Sequence, residues 1–160
     1  MNGMISFIPE IFTLFASMSI LMLGLIKKAA TKIHLFSITF SIILFALTII
    51  IQNTEVIYIF DKTLKFDTGT AFFKQICISL FIIIILVSNQ FLIDKKIQRA
   101  EFYSLLFLSL LGTLLLISSE NLIMIFLGIE LTALCLYSMI ALSKNNILSY
   151  EAGIKYFVLS

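Results

Sequence analysis

Charge is what this chain of 160 residues has least of: 12% of its residues are Asp, Glu, Lys or Arg, against 61% that are hydrophobic. Soluble domains carry roughly 25% charged residues, so the composition excludes a water-facing surface and leaves a lipid-embedded protein. Proline occurs once and glycine six times, which excludes collagen-like and low-complexity chains. The two cysteines, Cys77 and Cys135, both fall inside apolar runs. They imply no disulfide framework or metal site and read as small buried hydrophobes. A net charge of +2 without a basic stripe gives nucleic acid nothing to bind. With one histidine there is no haem-ligating pair, and no phosphate loop, nucleophile motif or metal-ligand cluster stands in the sequence. No basic region or small-residue cleavage site opens the chain, so no removable signal or transit peptide is expected. Arg99 is the only arginine. With the heavy use of Ile and Phe, this suggests an AT-rich gene such as those of organelles or endosymbionts.

What the sequence does have is long apolar runs. A spanning helix needs about 20 mostly apolar residues, and runs of that kind cover 8–26, 33–51, 71–93, 102–118 and 122–142. Residues 81–87 show no alternation, which excludes barrel strands and leaves helices, whose backbone groups are satisfied internally. Pro9 falls in the first turn of the first run, where its missing N–H is harmless. A sixth run, 150–160, covers only about 16 Å of a core about 30 Å thick. Its end is expected to be covered by another chain or continued. The fold class is therefore an all-α integral membrane protein, a single domain over 1–160 with about five transmembrane helices and the start of a sixth. Between the second and third runs, 56–60 and 64–66 flank Asp61-Lys62-Thr63 and predict a small surface hairpin.

Basic residues in the short connections set the orientation. Lys27, Lys28, Lys32, Lys95, Lys96, Arg99 and Lys144 fall in the odd-numbered connections, against Lys62 and Lys65 in the second. The odd connections are thus expected on the cytoplasmic or matrix side, with the N-terminus outside.

Glu130 is the residue most suggestive of chemistry. It stands roughly 3 Å from the middle of run 122–142, where an ionisable side chain costs about 2.5–3.5 kcal/mol on insertion scales. Its helical face includes Phe126, Ala133 and Tyr137, which is expected to point into a bundle. A carboxyl there suits a proton relay, because burial tunes its affinity for protons. Glu151 and Lys155 form an i, i+4 pair in the favoured order, read either as functional or as an interfacial anchor with a snorkelling lysine. Lys74 is expected to snorkel. Glu10, Glu101 and Glu120 are expected to anchor or cap helix ends, and His34 to have an unremarkable place beside a basic loop. Ser109, Gly112 and Thr113 share a face suited to close helix packing.

The second half of the chain resembles a known family. Glu101-Phe102-Tyr103-Ser104, then "FLGIEL" at 126–131 and "EAGIKYFVLS" at 151–160, look like subunit 2 (subunit N in bacteria) of NADH:quinone oxidoreductase, respiratory complex I. The likeness is looser over the first 100 residues, at Pro9-Glu10-Ile11 and Phe72-Phe73-Lys74. It implies an antiporter-like subunit of the membrane arm that moves protons while quinone is reduced elsewhere. It also implies that Glu130 matches the family's fifth-helix carboxylate, and that Lys155 and Glu151 match two intramembrane charged positions. The lysine of the family's seventh helix has no counterpart here, so a split subunit is expected, with a second polypeptide supplying the later helices; a truncated product would give the same sequence. The resemblance further implies other membrane-arm subunits and lipids as partners, and no cofactor in this chain. The AT-rich composition and the lack of a presequence set the expected location as the mitochondrial inner membrane, with a bacterial plasma membrane as the alternative. FMN, iron–sulfur clusters and quinone are expected elsewhere in the complex. Two other readings stay open: a component of a multi-subunit cation/proton antiporter, and a structural or assembly subunit.

Overall fold

A computed structural model describes residues 5–25, 30–51, 56–60, 62–94, 99–142 and 147–159. The described residues include six helices: α1 (Ile8–Gly24), α2 (Ala30–Ile50), α3 (Thr68–Asp94), α4 (Arg99–Ser118), α5 (Leu122–Ala141) and α6 (Ile147–Leu159). Four of them, α2 to α5, are long and apolar enough to cross a membrane, and α1 is a shorter apolar helix of 17 residues. The helices keep the order read from the apolar runs, with ends shifted by a few residues. α1 stops at Gly24 rather than 26, and α3 starts at Thr68 because a cap precedes it. Asp67 Oδ1 accepts from the Thr70 N–H at 2.7 Å, and Thr70 Oγ1 accepts from the Asp67 N–H at 2.9 Å. This reciprocal cap satisfies two otherwise orphaned donors. Asn121 caps α5 by accepting from the Ile123 N–H at 3.1 Å.

The expected hairpin is present. Strand β1 (Ile57–Ile59) pairs antiparallel with β2 (Leu64–Phe66), in the register Ile57↔Phe66, Tyr58↔Lys65 and Ile59↔Leu64. It lies across the ends of the helices. Phe7 makes edge-on contacts with Phe60 and Phe66 at 6.0 and 6.5 Å between centroids. The Glu120 N–H donates to the Thr63 carbonyl at 3.0 Å. The hairpin thus covers the starts of α1 and α3 and the turn between α4 and α5.

Helix α4 is the hub, packing against α1, α2, α3 and α5. Ile20, Leu44, Ile78, Ile85, Tyr103, Phe107 and Leu114 form a core closed to solvent, with Phe81 and Phe107 edge-on at 4.9 Å. Buried hydroxyls are tolerated there because they bond to their own helix: Thr13 donates to the Glu10 carbonyl, Ser17 to Leu14 and Ser41 to Ile38, each at 2.8 Å. That back-bonding removes the penalty of a free hydroxyl in an apolar bundle. Lipid provides no hydrophobic drive between helices, so close backbone packing carries more of the association. α4 and α5 touch at Gly112 and Gly128. A methyl at Gly112 would lie 2.7 Å from Thr132 Cγ2 and 3.0 Å from the Gly128 carbonyl oxygen. Gly112 thus packs as the small-residue face predicted, whereas Ser109 and Thr113 line an open, mostly apolar groove of about 270 Å³ with Phe81, Leu136 and Met139.

Most of the loop lysines used to orient the chain, Lys27, Lys28, Lys95, Lys96 and Lys144, lie outside the described residues, as do Asp61 and Ser160.

Candidate functional site

Helix α5 shows α4 a narrow stripe, in which Gly128 and Cys135 are its buried residues. Glu130 lies two residues on from Gly128, about 200° around the helix, and so faces away from α4. It shares its stripe with Tyr137 and Ala141, the residues on which α6 packs. Tyr137 stacks with Tyr156 at 6.4 Å and meets Phe157 edge-on at 6.3 Å. A methyl at Gly153 would lie 3.2 Å from Ala141 Cβ. Glu130 is seven residues from Tyr137, about 10 Å further along the helix. It is half-buried and has no hydrogen bond or ion pair with any described residue. The expected enclosed position is therefore only partly realised, since Phe126, one turn away, is 63% exposed. The carboxyl stands at the margin of the bundle, on its α6 side.

Glu151 and Lys155 form the expected pair, Nζ to Oε1 at 2.6 Å. Both are exposed, on the side of α6 turned away from α5. Glu130 and this pair share the α5–α6 half of the molecule but do not meet.

The opposite half holds a site that sequence reasoning missed. Lys74, expected to snorkel, and Glu10, expected to anchor a helix end, are both buried and bonded to each other, Nζ to Oε1 at 2.5 Å. Snorkelling fails because the hairpin lies over the end of the bundle that Lys74 would have to reach: the Phe66 ring stands 4.3 Å from its Nζ. Glu10 does not cap α1 into water because its carboxyl is buried and held by the Lys74 side chain from α3. The available signal was a matched pair of opposite charges, each near the start of an apolar helix entering from the same side.

At the other end of the bundle, His34 is half-buried and its Nδ1 lies 2.8 Å from Tyr103 Oη, which Ser88 Oγ also approaches at 3.4 Å. Glu120 instead joins Lys65 in a surface cluster, with Lys65 Nζ 3.2 Å from Asp67 and 3.7 Å from Glu120. The Thr70 N–H, and after it Lys65, hold the Asp67 carboxyl below its ordinary range, and Asp67 raises Lys65 above its own. Among the described residues no group of His, Cys, Asp or Glu is arranged to hold a metal, and Cys77 and Cys135 are free thiols.

A helical bundle with ionisable groups inside its apolar segments defines a class, the multi-helix membrane proteins that carry charge at membrane depth. Comparison with known proteins narrows it. Residues 119–160 match the family described as NADH:quinone oxidoreductase/Mrp antiporter, TM. NADH-quinone oxidoreductase subunit N of Coxiella burnetii is 37% identical over 158 residues, covering 95% of this chain and 33% of that protein. Its counterpart in Pelagibacter ubique is 30% identical over 162 residues, covering 100% of the chain and 34% of the relative. That of Bartonella bacilliformis is 29% identical over 152 residues. The chain belongs to the subunit N family, matching its N-terminal part. It spans about a third of the length of these relatives.

Proposed function

We propose that this chain is part of a proton-translocating, antiporter-like subunit in the membrane arm of NADH:quinone oxidoreductase, coupling quinone reduction to proton pumping. The observation that carries the reading is Glu130, a carboxyl near the middle of a helix long enough to span, within the segment matched to the antiporter family. Glu130 relays the proton, and the Glu151–Lys155 pair modulates it electrostatically from α6. A charge moved near a carboxyl shifts the carboxyl's proton affinity, which is how such a pair acts at a distance.

The redox groups, FMN, iron–sulfur clusters and quinone, belong to other subunits. The partners are the neighbouring membrane-arm subunits and lipids. The N-terminus faces the intermembrane space or periplasm. The Ile- and Phe-rich composition with a single arginine favours a mitochondrial inner membrane, while the bacterial origin of the relatives named above favours a plasma membrane.

The test is Glu130→Gln in the assembled complex, reconstituted in vesicles. Proton translocation per quinone reduced is expected to fall while assembly persists; undiminished pumping overturns the reading. A second reading, part of a stand-alone cation/proton antiporter, is favoured by the other half of the family description. Cation-driven proton movement without NADH oxidation would establish it.

A further inference from the structure

The proton-relay reading makes no use of Glu10 and Lys74, and both lie outside the segment matched to the antiporter family. Their side chains are 2% and 4% exposed. A buried ion pair is poor value as a clamp, because well-packed apolar side chains hold helices as firmly. One carboxylate oxygen of Glu10 takes the Lys74 ammonium; the other, Oε2, is equally buried and has no partner among the described residues. Beside Lys74 lies a cavity of about 20 Å³, bounded by Ser6, Thr48, Asp67 and Thr70. That is room for one water with several polar partners. Asp67, in its wall, is partly exposed on the hairpin face. In the other direction the way is shut by Leu44, Ile78 and Ile85, all 0% exposed.

We propose that Glu10 and Lys74 form a proton-exchange site that opens only toward the hairpin face, through the cavity bounded by Asp67 and Thr70. Its ligand is a proton carried by water. Lys74 lines the cavity and holds Glu10 Oε1, so on uptake an N–H bond of its ammonium breaks as an O–H bond forms on Glu10, and the amine takes a proton from the cavity water, whose O–H bond breaks. The hydroxide left behind is reprotonated from solvent at the hairpin face. Lys74 is an ammonium ion before and after the exchange, and release is the reverse. The charged groups facing the site are Asp67, its partner Lys65, and beyond it Glu120. Among the described residues, the segment before α1 and the end of α2 present the hydroxyls of Ser6 and Thr48.

The use of this site in pumping rests on the complex I reading; the exchange itself does not. Infrared difference spectra between acid and neutral pH, recorded on the purified membrane complex, read the carboxyl directly. The wild type is expected to show a carboxylic C=O band that is missing in Glu10→Gln and shifts promptly on transfer to heavy water. Ala71→Leu, which fills the cavity, is expected to slow that shift by roughly tenfold or more. Absence of a band assignable to Glu10, or a shift as slow in the wild type as in Ala71→Leu, overturns the proposal and leaves a sealed clamp. Pumping by Glu10→Gln is expected to fall by about half or more with assembly intact. If the infrared band is present and Glu130→Gln pumps normally, the complex I reading fails while the exchange site stands.

Discussion

Glu10 and Lys74 stand 64 positions apart in the chain, yet their charged ends meet within 2.5 Å, enclosed between α1, α3 and the Phe66 ring. The contact ties the first helix to the third under a hairpin formed by neither. Removing one partner leaves the other without its counter-charge in an apolar enclosure, whereas removing both leaves only a packing change.

Single substitutions Glu10→Ala and Lys74→Ala should therefore each destabilise the protein by about 3 kcal/mol. The double variant Glu10→Leu/Lys74→Met should lose much less than the sum. A double-mutant cycle on thermal unfolding in mild detergent measures the coupling. Additive losses would mean that the two groups do not interact energetically.

At the contact between α4 and α5, Gly128→Ala brings a methyl to 2.7 Å from Leu116 Cγ and 3.1 Å from the Gly112 carbonyl oxygen. Leu116 can rotate away but the backbone oxygen cannot, so a cost of about 1–3 kcal/mol is expected. The same change at Gly69 meets nothing closer than 3.3 Å, and that atom is in the Asp67 side chain. Equal losses at the two sites in an unfolding assay would remove the close-packing argument.

The hairpin base should respond to pH at both extremes. Asp67 titrates below its ordinary range when folded, so its contribution is present above about pH 4 and is lost as pH falls through the lower folded value. Lys65 titrates above its ordinary range, so its contribution is present below about pH 10.4 and is lost as pH rises through the folded value. Amide protection factors, corrected for intrinsic exchange, at β2 and the first turn of α3 should fall in both limits and stay level between them. Asp67→Ala should abolish the acid limb and cost about 1 kcal/mol through the lost cap.

Glu151 and Lys155 are 52% and 67% exposed, so their contact adds little to stability. Lys155→Met is expected to change unfolding by no more than about 0.5 kcal/mol. Its effect on proton translocation should nevertheless be clear, because moving a charge near α5 changes the field at Glu130. A variant that unfolds earlier yet pumps normally would make the pair a structural anchor.

Composition and the lengths of the apolar runs were enough to establish a membrane-embedded helical bundle, the order of its helices and the hairpin between the second and third. These are local properties: water and lipid sort residues by hydropathy, and an apolar run in lipid must satisfy its own backbone. Glu130 was legible for the same reason, as a carboxyl inside such a run. The pairing of Glu10 with Lys74 was not, because a run of hydropathy carries no information on which helix faces which. The exposed stripe around Glu130 was hidden too, since Gly128 and Cys135 rotate that carboxyl away from α4 only once α5 has docked. What packing alone decided was which charges are enclosed: a lysine snorkels to an interface unless another element covers its exit, and here the hairpin does.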